Sequence, residues 1–221
     1  PKPLVNRFAA VIRRNQYNIK ESMRALFLSE GFYDPSYRGS LIKSPVELVI
    51  GTSRQLGLPL ENLNGAVGAA SRLGQELYEP PNVKGWDGGP KWINTATLFG
   101  RYNAVRGMIF GEGGQRHRSM AALNDEEAAQ EKIRTRRGFA SQTTFDPLPL
   151  MTENNLESAE QVVDFFLGHL LAVPLATEKR AALISYLEDG LTSFDPQVRK
   201  YQDRIRTLVY LICSTPEYQL N

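Results

Sequence analysis

The segment Tyr78–Trp92 holds the residue types best suited to chemistry in this sequence. It reads YEPPNVKGWDGGPKW, so prolines and glycines interrupt the helical pattern around it, and Trp86 and Trp92 lie six residues apart. Proline fixes the φ angle and glycine permits positive φ, so these residues favour a defined irregular backbone. A plain connection between two helices needs only a handful of residues. We therefore expect a long loop with a conformation of its own.

This loop has two interpretations. In the first, the two indoles form an aromatic platform for a sugar or another flat ligand. The polar contacts would come from Lys84, Asp87, Lys91 and, near the start of the next helix, Arg101. In the second, Trp86 and Trp92 fill the helical core, which is the favoured interpretation because buried aromatic side chains dominate core energetics. Asp87 is the carboxylate to test first, although no general acid–base pair stands out.

Other residues with chemical potential are few. Residues 111–118, GEGGQRHR, lack the Lys-Ser/Thr pair of a phosphate-binding loop and follow a helix, which favours a flexible basic turn. His169 shares a helix face with apolar residues and is expected to be a hydrogen-bonded core or edge histidine. Neither it nor His117 belongs to a zinc motif, and Cys213 in its apolar run is expected to be a buried hydrophobe. We expect no metal and no cofactor, although an oxygen-only metal site or a dispersed catalytic triad would leave no local pattern.

The overall composition narrows the classes of partner. The 221 residues carry a formal charge of only +2, which offers no general attraction for nucleic acid. The bases at 132–137 are preceded by a matching set of acids in a predicted charged helix, 124–137, so they form no basic stripe. No apolar run approaches the roughly 20 residues that cross a bilayer, so we expect no membrane span. Charge and hydropathy therefore indicate neither a nucleic-acid partner nor a membrane span.

Helical periodicity dominates and predicts an all-α, irregular multi-helix domain of about eight to nine helices, with little or no β structure. The fourth of these helices along the chain is predicted to run from about Asn62 to Tyr78. Residues 138–155 are predicted to be a linker or surface loop. The predicted helix starts are marked by capping residues: Asn18, Ser44 with Pro45 and Glu47, Asn94 or Thr95, Ser158 with Gln161, Thr177, and Asp195 with Pro196.

These elements predict three regions, most simply parts of one domain. Residues 1–112 form a helical region with the Gly/Pro/Trp loop at 78–92. Residues 113–156 hold the charged helix and the linker. Residues 157–221 form a three-helix region that packs on the first.

Four separate segments carry a resemblance to a known family. FLSEGFY (Phe27–Tyr33), KSPVELV (Lys43–Val49), LGQELYEPPNVKGWDGGPKWIN (Leu73–Asn94) followed by Arg101, and the closing LVYLICSTPEYQLN occur in this order. In order and spacing they resemble the bacterial family catalogued as domain of unknown function 1800. The resemblance covers essentially the whole chain and corresponds to the C-terminal half of the family's typical length.

The resemblance implies a largely helical fold and no established activity. Members of the family are common in planctomycetes and related bacteria and look exported, often by the twin-arginine route, which implies a periplasmic or secreted location. Their genes often lie beside those of the family called domain of unknown function 1501, which is similar to alkaline-phosphatase-like and sulfatase-like hydrolases. We therefore expect this chain to associate with an N-terminal half of its parent, with another protein chain such as that hydrolase-like protein, or with a second copy of itself.

Two functions follow as hypotheses. The first is a non-enzymatic accessory or scaffold domain of an exported bacterial protein that acts with a partner protein. The second is a domain that binds or hydrolyses a polysaccharide or another polymer, with Trp86 and Trp92 as its platform and Asp87 as its acid. The accessibility of the two indoles distinguishes them.

Overall fold

A computed structural model describes residues 2–59, 63–111, 144–189 and 199–221. Within these ranges the chain is helical, as predicted, and forms nine α-helices. They are α1 (Lys2–Arg14), α2 (Ile19–Phe27), α3 (Pro45–Gln55), α4 (Leu63–Arg72), α5 (Thr95–Phe110), α6 (Leu148–Glu153), α7 (Ala159–Leu170), α8 (Thr177–Glu188) and α9 (Arg199–Cys213). Short 3₁₀ helices lie at Glu30–Phe32, Pro35–Tyr37, Gly89–Trp92 and Glu217–Gln219. The chain divides into two compact units, Pro1–Ser40 and Leu41–Asn221.

The unit Pro1–Ser40 is a helical hairpin followed by two 3₁₀ turns. Helices α1 and α2 pack on each other, and Gln16 and Tyr17 adopt positive φ angles of 51° and 61° in the turn between them. As predicted, Asn18 caps α2 and accepts a hydrogen bond from the Glu21 amide at 3.4 Å. Among the described residues of this unit, only Ser22 is buried.

The unit Leu41–Asn221 has a continuous apolar core. Helices α3, α4 and α5 pack on one another, and α9 packs on α5, α7 and α8. The predicted capping boxes are present at Ser44, which accepts from the Glu47 amide at 3.3 Å, and at Ser158, which accepts from the Gln161 amide at 3.2 Å. The predicted inner face of the last helix is also confirmed, since its members Tyr201, Ile205, Leu208 and Ile212 are buried.

Three sequence predictions about element limits are wrong. Helix α4 ends at Arg72 and not at Tyr78, because Gly74 takes a positive φ of 97° and its neighbour Gln75 turns back to donate to the Ala70 carbonyl. Leu77, predicted to face inward, is consequently exposed, and so is Val67 within α4.

The predicted linker 138–155 contains helix α6, with Met151 and the preceding Phe145 buried in the core. The prolines at 147 and 149 obscured the helical pattern in the sequence, although Pro147 itself is buried. Thr177, predicted as an N-cap, is the first helical residue, and Ala176 occupies the cap without a side-chain bond. The predicted charged helix 124–137, residues 112–118 of the basic turn, and Asp195-Pro196 lie outside the described residues.

Candidate functional site

The loop that follows α4 is held at its far end by Trp92. This indole closes the 3₁₀ turn Gly89–Trp92 and is 9% exposed. Gly88 and Gly89 precede it with φ angles of 72° and 54°, values that L-residues rarely adopt. A Cβ atom on Gly88 would lie 3.8 Å from the Trp92 Nε1 atom. The turn that leads to the buried indole therefore depends on glycine through its positive φ angles.

The other indole is more accessible. Trp86 is half-buried, whereas Trp92 is buried, so the two rings do not offer a pair of open faces. The favoured interpretation of the loop, with indoles filling the core, describes Trp92 better than Trp86. Trp86 is the one of the two that could touch a ligand.

Asp87 is clamped between two lysines. Its carboxylate accepts a hydrogen bond from Lys84 Nζ at 2.7 Å on one oxygen and from Lys91 Nζ on the other. The Lys84 bond, followed by the Lys91 bond and charge, lowers the pKa of Asp87 below its usual value. An exposed carboxylate held ionised in this way is a poor proton donor, so the pairing does not favour Asp87 as a general acid.

The middle of the loop is fixed by its own hydrogen bonds. Asn82 accepts from the Lys84 amide through Oδ1 at 2.9 Å and from the Gly85 amide through its carbonyl at 3.0 Å. At the near end, the Val46 amide at the start of α3 donates to Gln75 Oε1 at 3.0 Å. The loop is thus tied to α3, to its own turn and to the core.

Arg101 does not join the loop residues, although the sequence places it near them. It lies on α5 and is fully buried. Its Nη2 donates to the Lys43 carbonyl at 2.6 Å and its Nη1 to Gln219 Oε1 at 3.1 Å. Its Nε is buried and has no hydrogen-bond partner among the described residues. Its guanidinium therefore joins the segment before α3 to the segment after α9.

Those two segments also pair through their main chains. Ile42 and Leu220 form an isolated antiparallel bridge, with the Lys43 amide donating to the Gln219 carbonyl at 2.8 Å. The Gln219 side chain in turn donates to the Cys213 carbonyl at 3.3 Å, at the end of α9. Arg101 thus stabilises the short pairing that closes this part of the fold.

Tyr218 fills the pocket behind this pairing. Its ring is buried, and its hydroxyl lies 2.7 Å from Thr52 Oγ1 and donates to Gln55 Oε1 at 3.2 Å. Lys43 Nζ sits 3.7 Å from the centre of the Tyr218 ring, within the range of a cation–π contact. Sequence reasoning missed Lys43, Thr52 and Tyr218 as one cluster, since their polar atoms are brought together only by the packing of α3 against the closing segment.

Burial controls the electrostatics of this cluster. It lowers the pKa of Lys43 to about 8, with repulsion from Arg101 adding to the effect, and it lowers the pKa of Arg101 to about 10. It raises the pKa of the Cys213 thiol to about 12, so this cysteine is the inert hydrophobe that its apolar run predicts. Within the described ranges no carboxylate forms an ion pair with Lys43 or Arg101. Arg101 is stabilised by one main-chain carbonyl oxygen and one amide oxygen, and Lys43 by an aromatic ring.

Comparison with known proteins bears on this arrangement. The family described as "Protein of unknown function (DUF1800)" matches residues 1–220 of the chain. The chain belongs to this family. Neither a curated protein nor a solved structure matches it significantly.

Three of the four segments that carry the DUF1800 resemblance contribute to the Arg101 cluster. Lys43 opens the KSPVELV segment, Arg101 follows the Gly/Pro/Trp segment, and Tyr218 and Gln219 belong to the closing segment, and all four side chains lie in one buried group. In this DUF1800 member these residues therefore have a structural role that is visible in their bonds.

Three further predictions can be compared with the geometry of this DUF1800 chain. His169 is an edge histidine with its ring satisfied, since Nε2 lies 2.6 Å from the Gln55 carbonyl and the ring stacks on Phe165. The described residues contain no group of three or more His, Cys, Asp or Glu side chains that could hold a metal ion. Among the same residues, no helix has the length and apolar character needed to cross a membrane.

Proposed function

We propose that this chain is a non-enzymatic accessory or scaffold domain of an exported bacterial protein, and that it presents the loop Tyr78–Trp92 to a partner protein. One observation carries the proposal. Tyr78 is 97% exposed, and its main chain has a positive φ of 68°. Positive φ is uncommon for a bulky L-residue and is retained where the surroundings hold the backbone in place. The loop thus keeps the Tyr78 ring exposed to solvent, although the main chain of Tyr78 must adopt an unfavourable conformation to do so.

The rest of the loop supports this interpretation. Val83, between the proline pair and Trp86, is also fully exposed. The Asn82 turn, the Asp87 clamp and the buried Trp92 fix the loop before any partner arrives. A preformed loop loses little conformational entropy on binding, so most of its contact free energy is available for affinity. Exposed aromatic side chains on rigid supports are also the commonest anchors of protein interfaces.

A non-enzymatic role is supported because the polar side chains considered for chemistry already bind other groups of the chain. Arg101 holds backbone and amide oxygens, Asp87 is shared by two lysines, and His169 binds a backbone carbonyl. The polysaccharide alternative requires two accessible indoles, and Trp92 is buried. The geometry therefore favours protein recognition over a sugar platform.

The proposed partner is a hydrolase-like protein of the family called domain of unknown function 1501, encoded nearby, and the proposed location is periplasmic or secreted. The support for both is the behaviour of the wider family. The test places a photo-crosslinking phenylalanine derivative at Tyr78 in the full chain, expressed in its native host. A matched control places it at Val67, which is exposed on α4.

We expect one crosslinked protein, identified by mass spectrometry, from position 78 and none from position 67. Tyr78→Ala should then weaken binding of the purified partner by about tenfold or more in calorimetry, in line with the loss of one interface anchor. Absence of a specific crosslink at 78, or equal crosslinking at both positions, would show that the loop is not the recognition surface.

A further inference from the structure

We infer that the helical hairpin Pro1–Ser40 binds the surface of an anionic lipid membrane, lying in the plane of the interface. The inference is independent of the loop proposed above, because it concerns the other compact unit. It begins from the apolar side chains of the hairpin that lie in water. In the two helices Ile19 is 77% exposed, and Leu4, Val5, Met23 and Phe27 are exposed as well; Leu28, directly after α2, is 73% exposed.

The hairpin has almost no interior of its own. Ser22 is the only buried residue among those described, and the two helices hold 13 and 9 residues. Helices of this length are marginal in water unless an apolar face is covered. A cover is therefore needed, and the charges of the hairpin indicate which kind.

The charge of the hairpin is strongly one-sided. Residues 2–40 contain seven Lys or Arg and three Asp or Glu, a net charge of +4, whereas the whole chain carries only +2. This excess is complementary to a surface of negative charge. Each basic residue close to an anionic lipid surface adds to this attraction.

The basic side chains also lie at the borders of the apolar faces of the two helices. With 100° between successive residues of a helix, Ile19, Met23 and Phe27 share one face of α2, Lys20 and Arg24 border that face, and Glu21 lies on the opposite side. Helix α1 repeats the arrangement, with Arg7 and Arg14 one turn to either side of Val11, on the border of its apolar face. Basic side chains at such a border can extend their apolar stems along the lipid and keep their charges at the headgroups.

Aromatic side chains complete the pattern. Phe27 and Phe32 pack edge to face with ring centres 5.0 Å apart, and Tyr33 continues the cluster at 5.2 Å from Phe32. Tyr33 and Tyr37 are exposed beside it. Tyrosine is favoured at the level of lipid headgroups, where one end of the ring is apolar and the other is hydrated. Amphipathic helices with basic borders and Phe or Leu on the apolar face are typical of segments that lie on membranes.

The test measures binding of the full chain to vesicles by sedimentation. Vesicles of phosphatidylglycerol mixed with phosphatidylcholine are compared with vesicles of phosphatidylcholine alone. We expect binding to the anionic vesicles to be at least about tenfold stronger and to weaken as salt is added, because salt screens the attraction. Circular dichroism and the melting temperature confirm that each variant is folded.

Two double variants separate the contributions. Lys20→Gln with Arg24→Gln should weaken binding to anionic vesicles about tenfold, and Ile19→Ser with Met23→Ser should weaken it on both kinds of vesicle. The matched control, Arg54→Gln with Val67→Ser, changes an exposed base and an exposed apolar residue of the other unit and should bind like wild type.

No vesicle binding by the folded wild type would overturn the inference, as would equal binding by all variants. Burial of the same face in a second copy or in a protein partner, with no affinity for lipid, would overturn it too.

Discussion

The Nη2 atom of Arg101 donates a hydrogen bond to the main-chain carbonyl of Lys43 at 2.6 Å, so one buried cation holds the backbone of another. The two residues are 58 positions apart in sequence and lie on different elements. Their side chains repel, yet both are buried, with Lys43 only 7% exposed. This relationship makes the cluster sensitive to substitution and to pH.

Replacing Arg101 should destabilise the fold. Arg101→Met leaves the Lys43 carbonyl and Gln219 Oε1 buried without their donor, at a cost of roughly 2–3 kcal/mol for bonds to a charged group. Urea unfolding measures the difference. The control Arg54→Met, at an exposed position on α3, should stay within about 0.5 kcal/mol of wild type. Similar losses in the two variants would contradict the structural role of Arg101.

The buried Lys43 should make the free energy of unfolding depend on pH in the alkaline range. Burial lowers the pKa of Lys43 to about 8 in the folded chain, against an ordinary value of 10.5. Between these values the unfolded state binds more protons than the folded state, so the free energy of unfolding rises with pH through this window. Below about pH 8 the lysine is charged in both states, and the full cost of burying the charge remains.

The check uses Lys43→Met, which has no group to titrate. The difference in the free energy of unfolding, wild type minus variant, should increase from pH 8 towards 10.5 in a denaturant series. A difference that stays constant across the window would show that Lys43 titrates normally.

The two tryptophans should respond differently to truncation. Trp92→Ala removes a buried ring and should cost about 3–5 kcal/mol. Trp86→Ala removes a half-buried ring and should cost distinctly less. Thermal melts of both variants measure the contrast, and equal losses would mean that the indoles are equally buried in solution.

Two glycines should respond with opposite signs to the same substitution. Gly88 has φ 72° and ψ −168°, a region that is nearly exclusive to glycine, so Gly88→Ala should cost on the order of 1–3 kcal/mol. Gly51 lies inside α3 with open space at its Cβ position, so Gly51→Ala should stabilise by roughly 0.5–1 kcal/mol. Chemical denaturation of both variants tests the pair. Stabilisation by Gly88→Ala would show that the turn at Gly88, before Trp92, has a different conformation.

The sequence predicted those features that depend on neighbours along the chain. The capping boxes at Ser44 and Ser158 are of this kind, because a hydroxyl and a side chain three residues later satisfy each other locally. The irregular loop at 78–92 was also predictable from the sequence, since proline and glycine determine which φ angles their own residues can adopt. The end of α4 was missed because an isolated glycine, Gly74, interrupts an apolar pattern that otherwise continues to Leu77.

The residues of the candidate site have contacts that the sequence did not predict. Lys84, Asp87 and Lys91 were expected to supply polar contacts to a ligand, whereas the structure shows the two lysines bound to the Asp87 carboxylate, three and four residues away. Arg101 was expected to contact a ligand, but its bonds are to residues 58 and 118 positions away, in the core. No local pattern encodes contacts of that separation.

By itself the sequence determined the helical class, the family, and the loop that interrupts the helices, because spacing and backbone preference act over a few residues. Tertiary structure alone decided which indole is buried, which polar groups are already paired, and that the apolar face of the hairpin Pro1–Ser40 stays exposed. The physical reason is that burial and pairing belong to the packing of distant elements. Trp86 and Trp92 have the same side chain and lie six residues apart, yet Trp92 is buried and Trp86 is only half-buried.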